Sequence, residues 1–271
     1  MASYYKFLKR EKLPDGSVIA YYKATKHAQG AWNENEQHMA PATGILTREI
    51  VNFHPHDRLR LARVSLDILG LIPLDDFTIT TRYIRPGKTI ELIEAVLNSG
   101  GRDSIIARAW RLCTGDTSSI AGLEDQVIDS HPDQLPSWEE MKGWPGGFIE
   151  SIDLAATPNR RPGKGLVWVT TDFEMVEGES TDDIVRILGL VDTANGVVPR
   201  KGPNLSKMNW MFPNTDLQIH MYRLPQGKWL GIEAVQQYGE DGIGLTSAIL
   251  HDLQGPFGRS EQILTIRPII R

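Results

Sequence analysis

Residues 216 to 222 alternate between polar and apolar side chains, the pattern of a β-strand whose two faces differ. Asp216, Gln218 and His220 fall on one face, and the intervening positions are apolar. The apolar face can pack on a helix. A solvated face usually carries Lys, Glu and Thr, so this composition leaves two interpretations open. The polar face is either the solvent side of an edge strand or a catalytic face on which Asp216 acts as a base.

The first part of the chain predicts a strand, a helix and then four more strands. The helix covers about residues 40 to 53, where Ala42, Leu46 and Ile50 form an apolar stripe and Pro41 suits the first turn. Gly and Pro residues separate the strands that follow. The predicted strands cover about residues 16–25, 59–69, 76–85, 88–98 and 103–113.

The second part repeats this order after a segment rich in Pro and Gly at residues 121 to 147. Its helix starts at the capping sequence Thr181-Asp-Asp, continues through Ile184, Ile187, Leu188 and Val191, and ends before Gly196. The predicted strands cover about residues 148–155, 165–175, 215–223, 228–237, 243–252 and 259–267.

The order of elements predicts an α+β fold in which one helix lies along an antiparallel meander and the whole unit occurs twice. We therefore predict an N-terminal repeat at residues 1–120, a linker at 121–147 and a C-terminal repeat at 148–271. Sequence identity between the halves is low, so the prediction rests on the order of the elements.

Composition narrows the class of protein. The net charge of −5, with both signs interspersed, gives no electrostatic footprint for nucleic acid. No apolar run approaches the roughly 18 residues of a membrane span, and the N-terminus lacks the apolar core of a signal peptide. A single cysteine, Cys113, fits a reducing compartment, and we expect a cytoplasmic protein.

Several catalytic motifs are missing from the sequence. It has no Gly-x-Ser-x-Gly elbow, phosphate loop or dinucleotide fingerprint. The seven histidines are scattered, without a His-Glu-x-x-His motif or a cysteine pair. We therefore expect neither a metal site nor a cofactor.

Helix-on-meander units doubled in one chain are the layout of a double hotdog, and several short motifs resemble the acyl-CoA thioesterase-like family. The shared order of these motifs carries the resemblance across nearly all of residues 15–268. In the first half they are Gln37-His38-x-x-Pro41, Arg85-Pro-Gly-Lys-Thr-Ile-Glu-Leu-Ile-Glu-Ala and Arg108-Ala-Trp-Arg-Leu, and in the second half Asn214-Thr-Asp-Leu, Arg223-Leu-Pro-Gln-Gly-Lys-Trp, Leu250-His-Asp-Leu-Gln-Gly and Gly258-Arg-Ser-Glu-Gln262.

The resemblance implies an acyl-CoA thioesterase that hydrolyses a fatty acyl-CoA with an activated water. In bacterial relatives an Asp, a Gln and a Thr or Ser of the second hotdog hold that water. Carried over by motif, these roles fall on Asp216 and Gln262, and the hydroxyl position falls near Gln237. An amide can still orient water, because it both donates and accepts hydrogen bonds. Thr246 is the alternative donor if the register differs.

The expected substrate-binding residues are His38, Met39, Ala40, His220 and Thr246. Backbone N–H groups at the start of the first helix would stabilise the oxyanion. Relatives often carry Gly-Gly where this chain has Met39-Ala40, which is a departure from the family pattern. Exposed sheet edges and faces lead us to expect a homo-oligomer.

Two alternatives remain open at this stage. A non-catalytic binder of acyl-CoA or a lipid-like ligand would explain the missing hydroxyl and the missing Gly-Gly. A hotdog hydratase is the other alternative, but it needs an Asp and a His near a helix, and Asp216 and His220 lie on one strand. Release of free thiol distinguishes the thioesterase from the binder.

Overall fold

The computed structural model describes residues 2–200 and 209–269, and it confirms the predicted α+β double hotdog fold. The first hotdog contains one long helix, α1 (Met39–Asn52), and six strands. Its strands are β1 (Ser3–Lys12), β2 (Val18–Ala24), β3 (Leu59–Ile68), β4 (Asp76–Arg85), β5 (Ile90–Ser99) and β6 (Arg102–Cys113).

The second hotdog has shorter helices, α2 (Gly147–Glu150) and α3 (Asp183–Leu188), and α3 is followed by a 3-10 helix at Val191–Asn195. Its larger strands are β7 (Ile152–Ala156), β8 (Lys164–Thr171), β11 (Asp216–Met221), β12 (Leu230–Tyr238), β13 (Ile243–Asp252) and β14 (Gly255–Thr265). Three short strands complete the set: β9 (Glu174–Val176), β10 (Trp210–Met211) and β15 (Arg267–Pro268).

The two hotdogs share one 13-stranded sheet, in the order β7-β8-β12-β13-β14-β11-β3-β6-β5-β4-β2-β1-β9. The central pair is β11 and β3, which run antiparallel with Ile219 opposite Val64. Strand β9 adds to the far side of β1 in parallel, with Ser3 opposite Glu174, so a short strand of the second half lies beside the first strand of the first half.

Helix α1 is buried on nearly every side because it lies between the sheet, α3 and the 3-10 helix that follows α3. It begins at His38, whose ring accepts a hydrogen bond from the Ala40 backbone N–H, and Pro41 lies in the first turn, where no N–H partner is required. Gly44 marks the contact with α3, since a Cβ there would lie 3.1 Å from the Gly189 Cα. The helix N-terminus is thereby fixed against the second hotdog.

Several elements differ from the sequence-based expectation. Strand β1 was not predicted, and residues 147–150 form a short helix where a strand was expected. The predicted second helix is divided into α3 and the 3-10 helix that follows it. The segment 121–147, predicted as a linker, contains two 3-10 turns, Pro132–Gln134 and Glu139–Gly143, and buries Trp138, Met141 and Trp144 in the core. It therefore contributes to packing, and the three-part division of the chain stays a prediction.

Candidate active site

Asp192 is the only carboxylate that Gln262 contacts in the described structure, and the two side chains meet beside the start of α1. The 3-10 helix holds Asp192 in the interior, where it is 3% exposed. Its Oδ1 accepts hydrogen bonds from Asn214 Nδ2 at 2.8 Å and from Gln262 Nε2 at 3.1 Å. Gln262 itself is completely buried in β14. Two neutral amides therefore fix one oxygen of a buried carboxylate.

Burial raises the pKa of Asp192 from 3.8 to about 6, although the hydrogen bonds from Asn214 and Gln262 favour the charged form. Desolvation dominates because both partners are neutral amides, and amides stabilise a carboxylate less than an arginine or lysine would. The carboxylate is mostly ionised at neutral pH. A proton acceptor with a pKa near 6 is close to the optimum for general-base catalysis.

The His38 ring lies beside this carboxylate. Its Nδ1 lies 3.5 Å from Asp192 Oδ2 and 3.0 Å from the Ala40 backbone nitrogen, from which it accepts a hydrogen bond. Burial lowers the pKa of His38 to about 3, so the ring is neutral and carries its proton on Nε2. The 3.5 Å separation is therefore not an ion pair, because neither atom carries a proton. Asp192 Oδ2 keeps its lone pairs for another donor.

A cavity of about 480 Å³ opens in front of these groups. It is lined by the end of the loop before α1, by the 3-10 helix and by the segment leading into β11. Most of its wall is apolar or aromatic. The polar exceptions include His38, Asp192 and Asn214, and the apolar and aromatic wall includes Trp32, Met39, Ile72, Trp144, Ile149 and Phe212. The carboxylate thus faces a mainly apolar space where a ligand can be desolvated.

The structure does not assemble the predicted group of Asp216, Gln262 and Gln237. Asp216 Oδ1 accepts a hydrogen bond from the Ile263 backbone N–H at 2.7 Å. Its Oδ2 accepts from Gln218 Nε2 at 3.2 Å, on the outer face of the sheet. Gln262 points to the interior, because neighbouring residues of a strand face opposite sides. Asp216 and Gln262 are therefore separated by the sheet and cannot hold one water molecule.

The other predicted residues divide between the two faces. Gln237 is exposed, whereas its neighbour Gln236 is buried and donates to Thr246 Oγ1 at 3.2 Å. Thr246 is buried opposite Gln262 in the β13–β14 register, so the alternative hydroxyl does lie on the interior face. His220 lies on the exposed outer face, so the structure does not place it near the cavity.

At the start of α1, Met39 lines the cavity beside His38. The Ala40 N–H is already bonded to His38 Nδ1, which removes it as a free donor for an oxyanion.

Among residues 2–200 and 209–269, no group of three His, Cys, Asp or Glu side chains is placed to hold a metal ion. No helix within those ranges is long and apolar enough to cross a membrane.

Sequence reasoning missed Asp192 and Asn214. The signal for Asp192 was available: it follows Leu188 by four residues and therefore falls on the apolar stripe of the predicted helix. A carboxylate on a buried face needs partners. Asn214 had no such signal, because it lies just before β11, outside the regular alternation.

Comparisons with known proteins agree with this architecture. The family model described as the acyl-CoA thioesterase N-terminal domain matches residues 28–112, and the model of the C-terminal domain matches residues 132–266. No curated protein sequence matches the chain.

Similar solved structures include a conserved protein of unknown function with a hotdog fold from Alicyclobacillus acidocaldarius. Its TM-score is 0.75 at 11% identity, with 97% of each chain covered. An acyl-CoA thioesterase II from Mycobacterium marinum has a TM-score of 0.65 at 13% identity, with 96% of each chain covered. A tesB protein from Mycobacterium avium subspecies paratuberculosis has a TM-score of 0.64 at 12% identity, with 96% of each chain covered. At these identities the structures establish the fold alone, whereas the two matched domain models establish the family: the chain belongs to the acyl-CoA thioesterase-like family of double hotdog proteins.

Proposed function

We propose that the protein hydrolyses acyl-CoA thioesters and that Asp192 is the general base. The observation that carries this proposal is the asymmetry of its carboxylate. Oδ1 is held by Asn214 and Gln262, and Oδ2 is left facing a neutral His38 and the cavity. Such an arrangement orients Oδ2 toward a water molecule and leaves the negative charge of the carboxylate unneutralised. Family membership supports a thioester as the substrate.

In the proposed reaction, Asp192 Oδ2 takes a proton from water while the water oxygen bonds to the thioester carbonyl carbon. The tetrahedral intermediate then breaks its C–S bond, and the departing thiolate takes the proton from Asp192. The products are a carboxylic acid and free coenzyme A. General-base assistance of this kind contributes on the order of 10²- to 10⁴-fold to the rate.

The developing oxyanion needs preorganised donors. Helix α1 begins at Met39 on the cavity wall, so its positive end faces the reacting carbonyl. The Nε2–H of His38 is a second donor, because Nδ1 is occupied by the Ala40 N–H. In this proposal the α1 N-terminus and the His38 Nε2–H stabilise the oxyanion in place of the Gly-Gly backbone that relatives often carry at Met39-Ala40.

The test is release of free thiol from a panel of acyl-CoAs, using Asp192→Asn and the matched control Asp216→Asn. Both substitutions remove a carboxylate and keep an amide of similar shape. We expect Asp192→Asn to lose at least 99% of the activity and Asp216→Asn to keep it. Equal loss in both variants would contradict the assignment. Tight binding without turnover in the wild-type protein would favour a non-catalytic acyl-CoA binder.

We also propose that the protein is a homo-oligomer. The outer face of the sheet carries exposed apolar side chains, among them Ile90, Leu112 and Tyr222, around a groove of about 750 Å³. A second copy of the chain would remove this apolar surface from water. Light scattering coupled to size-exclusion chromatography should give at least twice the monomer mass of 30.3 kDa. A monomer at micromolar concentration would contradict the proposal.

A further inference from the structure

Asn214 holds Asp192 through one end of its amide, so the orientation of that amide decides whether the bond can form. Its Nδ2 donates to Asp192 Oδ1 at 2.8 Å and to the Asp216 backbone carbonyl at 3.0 Å. Both partners are acceptors, so the end of the amide that faces them is the NH₂ group. The Asn214 Oδ1 therefore points away from Asp192, where it can accept a hydrogen bond.

Asn195 donates that hydrogen bond from the last residue of the 3-10 helix. Its Nδ2 lies 3.4 Å from Asn214 Oδ1, and both side chains line the cavity. A reversed Asn214 amide would place its Oδ1 against the Asp192 carboxylate and its NH₂ group against the NH₂ group of Asn195. Asn195 thus favours the orientation in which Asn214 donates to Asp192.

The backbone of Asn195 is anchored by β12. Gln236 is 1% exposed on the inner face of this strand, and its Nε2 donates to the Asn195 backbone carbonyl at 2.9 Å. The same nitrogen donates to Thr246 Oγ1 at 3.2 Å on the neighbouring strand. The end of the 3-10 helix is therefore fixed against the sheet by a buried amide.

Strand β14 fixes the backbone on both sides of Asn214. The Thr265 N–H donates to the Pro213 carbonyl at 3.0 Å, and the Thr215 N–H donates to the Ile263 carbonyl at 3.1 Å. The freedom that remains to Asn214 is that of its side chain, and Asn195 restrains this side chain.

We propose that Asn195 is a positioning residue that orients the Asn214 amide and, through it, the Asp192 carboxylate. This inference rests on the proposed thioesterase function and adds one residue to it. Asn195 acts without touching the reacting atoms, so its contribution passes through Asn214. A residue that bound the acyl-CoA directly would instead contribute whether or not Asn214 were present.

The test is a double-mutant cycle of Asn195→Ala and Asn214→Ala, assayed by thiol release at pH 8. The net contribution of one neutral hydrogen bond corresponds to about a 2- to 10-fold effect, so Asn195→Ala alone should lower kcat by that factor. In the Asn214→Ala background the same substitution should change kcat less than about 2-fold. Asn159→Ala is the matched control, because Asn159 is exposed between β7 and β8, and it should keep full activity. Equal losses in the two backgrounds, or a higher KM with unchanged kcat, would overturn the proposal.

A titration of the Asp192 carboxyl carbon by ¹³C NMR needs no substrate and therefore separates failure of this inference from failure of the proposed reaction. The signal is assigned by its absence in Asp192→Asn. The hydrogen bond from Asn214 favours the charged form of Asp192, so weakening this bond should raise the pKa of Asp192. The facing His38 ring stays neutral because burial lowers its pKa to about 3, and the other partner, Gln262, is uncharged.

We expect Asn195→Ala to raise the pKa of Asp192 by about 0.3 to 1, which is the same 2- to 10-fold effect, and to leave it unchanged in the Asn214→Ala background. That result supports the orienting role of Asn195 even if no thioester is hydrolysed. The same Asp192 pKa in the wild type and in Asn195→Ala overturns this role even if thioesters are turned over.

Discussion

The pKa of Asp192 makes a specific prediction about pH. If this carboxylate is the general base, kcat/KM should be half-maximal near pH 6 and fall about tenfold for each further pH unit toward acid. An unperturbed aspartate would keep its activity down to about pH 4. Asp192→Asn removes the base but keeps a side chain that can still bond to Asn214 and Gln262. We expect its rate to fall on the order of 10²- to 10⁴-fold.

Ionisation of Asp192, which should support catalysis, should lower the stability of the folded protein. Folding raises the pKa of Asp192 from 3.8 to about 6, so the folded state favours the protonated form. Ionisation in the folded protein therefore costs up to about 3 kcal/mol. The cost is fully present above pH 6 and disappears as the pH falls to below 3.8. Asp192→Asn should consequently be more stable than the wild type at pH 8 by up to about 3 kcal/mol, and equally stable near pH 3.5.

Two measurements check these effects together. Initial rates of thiol release are recorded from pH 4.5 to 8.5, and urea unfolding is measured at pH 8 and near pH 3.5. Asp216→Asn is the control in both, because its carboxylate lies on the outer face of the sheet. A pH profile that stays flat to pH 5, or an Asp192→Asn variant that is less stable at pH 8, would refute the reasoning.

Three further predictions concern neighbouring features. Gln262→Ala removes one donor from Asp192, so we expect kcat to fall about 10- to 100-fold, as measured by steady-state kinetics. Gly44→Ala places a methyl group against the Met175 side chain and the Gly189 backbone and should cost about 1–3 kcal/mol in urea unfolding, whereas Gly115→Ala, with no atom within 4 Å, should change stability little. Arg223→Ala removes the guanidinium that pairs with the buried Asp252 carboxylate, which keeps its backbone donors from Gln226 and Gln254, and should cost about 3 kcal/mol, seen as a lower thermal midpoint.

Much of the fold could be predicted from local patterns. The four strands after α1 have distinct breakers, and each lies within a few residues of its predicted range. The face assignment of β11 is also confirmed, because Leu217, Ile219 and Met221 are buried. Strand β1 escaped prediction because its central residues, Lys-Phe-Leu-Lys-Arg-Glu, are mostly charged and exposed. Its buried residues are concentrated at one end, where Tyr4 and Tyr5 enter the core.

The site could not be predicted to the same extent, because it depends on register between strands that are far apart in sequence. Local alternation shows which residues of β11 share a face, and separately which residues of β14 do. It does not show whether Asp216 lies opposite Gln262 or opposite Ile263. The structure bonds the Asp216 carboxylate to the Ile263 backbone N–H on the outer face of the sheet, whereas Gln262 is buried on the other face. The acid beside Gln262 then comes from the 3-10 helix, which reaches the site only through packing of α3 against α1. A polar residue on a strand is therefore a weak predictor of this site, because the polar face of a strand can simply face solvent. A carboxylate on an otherwise apolar helical stripe is a stronger predictor, because it becomes buried and must then find hydrogen-bond partners.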